Sequence, residues 1–228
     1  VNEDALLPPD GFRQRGPLPT GTRLLLIRHG ESRANAEGLA GGHKGDGGLT
    51  DLGRRQSVAL RDRLALSREL DAATALYTST LPRAIETGGI VREALPKSLV
   101  PVTDETLCEI SVGEGDGLTW AVFVERFGTP DWDSNPDQIT APGGESLLSF
   151  FERCRESFER LVARHPGELV VIVAHGGVIE QAMKIYQGLS GSVRLRPRID
   201  NCSMTEIEFR DGRRRLLRYN DRAPLAPE

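Results

Sequence analysis

Two short, unbroken apolar runs punctuate the chain, Leu24–Ile27 and Leu169–Val173. Each is too short for an ordinary helix and has the character of a strand buried on both faces, so both are expected at the centre of a parallel sheet. Ala75–Thr78 and Leu99–Thr103 are further strand candidates. Between these runs the apolar spacing changes to three and four. After Thr50, a capping residue, Leu52, Ala59, Leu60 and Leu64 fall on one side of a helix. Pro82 is an acceptable first-turn residue for the next helix. Beyond Gly144, the positions Leu147, Phe151, Cys154, Phe158, Leu161 and Val162 mark a longer amphipathic helix. This alternation predicts an α/β fold, a mostly parallel central sheet with helices on both faces. Met204–Phe209 and Arg214–Tyr219, on either side of Asp211-Gly212, predict a C-terminal hairpin.

The first 21 residues hold Pro8, Pro9, Pro17 and Pro19 with Gly11, Gly16 and Gly21, a composition that resists helix and sheet alike. The expected organisation is a flexible leader over 1–21, one domain over 22–222 and a short tail over 223–228. With 38% hydrophobic and 27% charged residues, the chain has the make-up of an ordinary folded protein. The net charge is -4, and the single basic cluster is Arg213–Arg215, so no nucleic-acid partner is expected. No stretch approaches the ~18 consecutive apolar residues of a membrane span, and no basic-then-apolar targeting pattern opens the chain, so a cytoplasmic protein without a membrane partner is expected. Cys108, Cys154 and Cys202 are odd in number and widely spaced, which fits buried thiols better than disulfides or a zinc site.

Ligands of open α/β sheets bind beyond the carboxyl ends of the strands. There, Leu24–Ile27 is followed by Arg28, His29, Gly30 and Glu31, and Leu169–Val173 by Ala174, His175, Gly176 and Gly177. The strand ending at Thr78 is followed by Ser79 and, shortly after, Arg83. Two histidines beside glycines and two arginines thus converge on one rim. Guanidinium forks match tetrahedral phosphate, and glycines at helix starts let backbone N–H groups face an anion.

Arg28-His29-Gly30-Glu31-Ser32 with Asn35 resembles the signature of the histidine phosphatase superfamily, in its phosphoglycerate-mutase-like branch. Four more blocks follow in that family's order: Leu49-Thr50 with Gly53 and Gln56, Ser79 through Arg83-Ala84 to Thr87, Glu109 with Gly143-Gly144-Glu145-Ser146, and His175-Gly176-Gly177. The resemblance spans roughly residues 23 to 210. It implies a nucleophile at His29, a phosphate pocket from Arg28, Arg83, His175 and Gly176 with a polar contact from Asn35, and a proton donor at Glu109. It implies no metal and no cofactor. The expected partner is a small-molecule phosphate ester, and a homodimer is compatible with the sequence.

In this family the segment between the acid and the last catalytic strand covers the pocket, which makes residues 110–144 a lid. Here it carries Glu114, Asp116, Glu125, Asp131, Asp133 and Asp137 against the single cation Arg126. Such a lid repels the bisphosphorylated primer of a mutase, so a phosphatase is favoured. A cofactor-dependent phosphoglycerate mutase and a catalytically silent phosphate- or protein-binding module are the alternatives. Trp120, Phe123, Val124 and Phe127 share a helical face expected to pack the lid onto the body. Gly113-Glu114-Gly115-Asp116-Gly117 lacks the aromatic usual after the first glycine, which is expected to open the pocket mouth. Gly41–Gly48 is expected to be a flexible rim loop whose His43 and Lys44 are solvated.

Overall fold

Arg28 and Ala174 stand side by side at the ends of two neighbouring parallel strands, and the fold is organised around that pairing. The computed structural model describes residues 21–223. The strands are β1 (Thr22–Arg28), β2 (Ala73–Thr78), β3 (Val102–Thr103), β4 (Leu169–Ala174), β5 (Met204–Arg210) and β6 (Arg213–Asp221). The helices are α1 (Arg33–Glu37), α2 (Asp51–Ser67), α3 (Pro82–Arg92), α4 (Trp120–Phe127), α5 (Leu147–Arg164) and α6 (Gly176–Gln187). They build one sheet of order β3-β2-β4-β1-β5-β6. The first four strands in that order run parallel, and the β5–β6 hairpin adds antiparallel to β1.

The two apolar runs form the central strands because every second residue has a core to enter on each side. Leu24 and Leu26 of β1, with Val170, Ile172 and Ala174 of β4, pack against Phe150, Phe158 and Leu161 of α5 and Val178 and Ile179 of α6. Leu25 and Ile27, with Val171 and Val173, pack on the opposite face against Leu60 and Leu64 of α2 and Val91 of α3. Thr50 caps α2 as expected, its Oγ1 accepting from Gly53 N, and Ser146 closes a capping box with Ser149 at the head of α5.

Three expectations are corrected. The strand candidate Leu99–Thr103 pairs only over Val102–Thr103, because Pro101 has no N–H to give a ladder and Leu99 is drawn into a turn on Pro96 O. Lid packing rests on Phe123, which is buried with Ala40, Val112 and Ala141, while Trp120 and Val124 on the same helix are about half exposed, at 51% and 45%. The glycine-rich loop is tied down: Asp116 accepts N–H bonds from Gly42, Lys44 and Gly45 at 2.8–3.0 Å. Of the expected leader, residues 1–20 lie outside the described residues. Gly21 belongs to the fold, where a Cβ would come within 2.6 Å of Arg210 Cβ. The tail expected over 223–228 lies outside them from residue 224 on. No helix among the described residues is long and apolar enough to cross a membrane.

Candidate active site

Parallel register brings the chemistry together. His29 and His175 each follow a strand end at the same level, with His29 N bonded to Ala174 O at 3.0 Å, and Ser79 leaves β2 with its N–H on Val173 O at 3.1 Å. The imidazoles of His29 and His175 lie 5.1 Å apart between centroids, and both residues are buried, at 3% and 0% exposure.

The tautomer of His29 follows from its partners. Gly30 O, 2.7 Å from Nδ1, can only accept, so Nδ1 carries the hydrogen and Nε2 presents a lone pair. Arg83 Nε donates to that lone pair at 3.2 Å and to His175 Nδ1 at 3.3 Å. His175 Nε2 therefore holds the hydrogen and donates to Ser79 Oγ at 2.7 Å. Burial pushes both imidazoles well below the ordinary histidine range, and the Arg83 cation adds to the effect. Both rings are thus neutral, and His29 is held in the form that can act as a nucleophile.

Arg83 is oriented by the rim loop. Its Nη1 pairs with Asp46 Oδ2 at 3.0 Å, both side chains being buried, and its Nη2 donates to Gly41 O at 3.0 Å. One N–H on each terminal nitrogen is left for a ligand. Arg28 donates from Nη1 to Ile199 O, while its Nε is buried with no partner. Burial lowers the Arg28 pKa, and Glu109 and Asp200 oppose that shift. An orphaned guanidinium N–H beside Gly176, 3.8 Å from where a Cβ would stand, is a donor in want of an anion.

Glu109 is held by two backbone donors, Ile110 N at 3.0 Å and Gly177 N at 2.9 Å. A Cβ at 177 would lie 2.1 Å from Glu109 Oε1 and would displace the carboxylate from this position. A cleft of about 440 Å³ opens beside this carboxylate, walled by Gly42, His43, Thr80, Leu81, Cys108 and Ser111 among others. Of the residues singled out from sequence, His29, Arg83, His175 and Arg28 gather around one buried point with Gly176, and Glu109 borders the adjoining cleft. Asn35 is exposed at the start of α1, where its Oδ1 accepts from Ser32 N in a capping box.

The roles of several contributors escaped the sequence reading, although Ser79, Thr87 and Glu145 stand in the blocks quoted there. Asp46 orients Arg83, and Ser79 orients His175. Thr87 Oγ1 accepts from Gly30 N at 3.0 Å, and Asn201 Nδ2 donates to His29 O at 2.9 Å, pinning the loop that carries His29. Arg153 binds Glu145 through Nε and Nη2, both at 2.7 Å, and holds the Thr106, Cys108 and Glu109 carbonyls. Its signal was a charged residue at the edge of the apolar stripe of α5, over the Phe150 ring at 5.0 Å.

The family model of the histidine phosphatase superfamily (branch 1) matches residues 24–222. Phosphoglycerate mutase-like protein 4 of Arabidopsis thaliana is 33% identical over 192 residues, covering 83% of this chain and 80% of its own. The metal-independent phosphoserine phosphatase of the same plant is 30% identical over 212 residues, covering 90% of this chain and 84% of its own. Among solved structures, mycobacterial glucosyl-3-phosphoglycerate phosphatase superposes with a TM-score of 0.72 at 28% identity, covering 87% of this chain and 99% of its own. The match of almost the whole folded chain to that family model, and of its strand-end motifs to one buried cluster, makes this protein a member of the histidine phosphatase superfamily.

Proposed function

We propose that this protein is a metal-independent phosphatase that hydrolyses a small-molecule phosphate monoester through a phosphohistidine at His29. The observation that carries the reading is the tautomer of His29, with Nδ1–H bonded to Gly30 O and the Nε2 lone pair turned toward Arg83 and His175. Relatives named as phosphatases support the same class of reaction.

In the first half-reaction, His29 Nε2 forms a bond to phosphorus as the bond to the ester oxygen breaks. Arg28 and Arg83 take the charge on the non-bridging oxygens, and neutral His175 helps to hold Arg83 in place through its Nδ1 acceptor. Glu109 gives its proton to the departing alkoxide. In the second, the Glu109 carboxylate removes a proton from water as its oxygen attacks phosphorus, which releases inorganic phosphate and restores neutral His29. No charge accumulates on the imidazole between turnovers.

The mutase alternative asks the lid segment to admit a second anionic group, against six acidic residues and Arg126. The reading is completed by a cytoplasmic setting, in which the three free thiols stay reduced. Phosphate release from p-nitrophenyl phosphate in excess EDTA, compared between wild type and His29→Ala, tests it. Release that survives the chelator and vanishes in the variant is expected. Release by His29→Ala at the wild-type rate, or isomerisation of phosphoglycerate faster than phosphate release, overturns it.

A further inference from the structure

We propose that the alcohol this site releases carries no negative charge and is rich in hydrogen-bond donors, so that carboxylated and bisphosphorylated esters are excluded. The proposal rests on the phosphatase reading and names its substrate class. If Glu109 protonates the leaving oxygen, the cleft of about 440 Å³ beside it receives the rest of the alcohol.

The charged groups lining that cleft are Glu105, Glu109, Asp116, Glu145 and Arg153. Arg153 is therefore the single permanent cation available to meet an anionic leaving group, and it has nothing left to give. A guanidinium has five N–H donors. In Arg153, Nε and one Nη2 hydrogen go to Glu145, the other Nη2 hydrogen goes to Glu109 O, and both Nη1 hydrogens go to Thr106 O and Cys108 O. Backbone donors on the rim are also taken by carboxylates: Gly42 N by Asp116, Ile110 N by Glu109 and Ser111 N by Glu145.

What the cleft does offer is acceptors and hydroxyls. The Glu105 carboxylate makes no hydrogen bond or ion pair among the described residues, and the Ser111 hydroxyl and the Thr80–His43 pair face the same space. A carboxylate placed there meets Glu105 and Glu109 with only neutral hydroxyls and the His43 ring, and no free cation, to offset them. Hydroxyl or ammonium groups on the alcohol find acceptors instead.

Two matched pairs of esters test this. Glycerol 3-phosphate differs from 3-phosphoglycerate by a hydroxymethyl in place of a carboxylate, and phosphoethanolamine is phosphoserine without its carboxylate. In each pair kcat/KM is expected to favour the ester without the carboxylate by roughly 10–10²-fold, the cost of leaving one polar group unpaired. Glu105→Gln is expected to narrow the ratio by raising the value for the carboxylated member. Ratios near one or inverted in the wild type, or no turnover of either carboxylate-free ester while p-nitrophenyl phosphate is hydrolysed, overturn the proposal. Failure to hydrolyse p-nitrophenyl phosphate as well would instead sink the phosphatase reading and this proposal with it.

Discussion

Arg83 Nε stands 3.2 Å from His29 Nε2, so the guanidinium occupies the lone pair that must attack phosphorus. A bound phosphoryl group has to take over those Arg83 hydrogens, and the anion is thereby exchanged for the imidazole as the arginine's partner. The cation that, together with burial, keeps both imidazoles neutral is thus the one that later stabilises the transition state.

Arg83→Ala is accordingly expected to lower kcat by roughly 10²–10³, as removal of an oxyanion donor does. Arg28→Ala is expected to fall in the same range. Arg83→Lys recovers little, because a point charge cannot reach Asp46, Gly41 O and both imidazoles together. Steady-state kinetics on p-nitrophenyl phosphate checks all three. Near-normal turnover in either alanine variant removes that arginine from the pocket.

The buried neutral imidazoles give stability an acid limb. In the unfolded chain each histidine titrates near ~6.5, whereas His29 and His175 in the fold are held well below that by burial and by Arg83. Between the two values the unfolded state binds more protons. Stability is therefore full above about pH 6.5 and is lost as pH falls toward the folded value, by up to about 1.4 kcal/mol per pH unit for each ring. Urea midpoints measured from about pH 7 down to pH 5 should show the decline, with a shallower slope in His29→Gln. An unchanged slope would mean that His29 is not held neutral.

Arg153 acts on Glu109 through the chain that carries it. Arg153→Gln and Glu145→Gln are expected to lower kcat with less effect on KM, and the double variant to cost little more than either alone, because the two side chains hold one loop. Esters with poor leaving groups should lose more than p-nitrophenyl phosphate, whose leaving group departs without a proton. Equal losses on both kinds of ester would leave Arg153 a merely structural residue.

Much of this architecture is legible in the sequence because it depends on local rules. The double-sided runs of β1 and β4, the cap Thr50, and Pro82 at the head of α3 each declare themselves within a few residues. The strand ends then bring His29, His175 and Arg83 to one rim. Asp46, Ser79, Thr87, Asn201 and Arg153 were not legible in their roles, since each acts across a long sequence separation. Asp46 reaches Arg83 from a stretch whose glycines suggested mobility, and the order comes from Asp116, about seventy residues away along the chain. Local signals also do not reveal that Asn35 spends its carboxamide oxygen on the cap of α1.

Glycine substitutions separate close packing from helix propensity. Gly53→Ala would put a Cβ 2.0 Å from Glu31 O, where α2 presses on the His29 loop, and is expected to destabilise by about 1–3 kcal/mol or more. Gly89→Ala in α3, whose Cβ meets nothing within 4 Å, is expected to stabilise by about 0.5–1 kcal/mol. Thermal melts of the two variants check both signs. Tolerance of Gly53→Ala would mean that the contact between α2 and the His29 loop is loose.

The central claim is a covalent intermediate on His29, and trapping it tests the account most directly. In Glu109→Gln, p-nitrophenyl phosphate can still phosphorylate the enzyme while activation of water is impaired, so a burst of about one nitrophenol per chain should precede slow turnover. Mass spectrometry of the quenched, folded variant is predicted to find one acid-labile phosphoryl group on the peptide containing His29. Steady turnover with no burst and no label, or a label on another residue, would contradict the account.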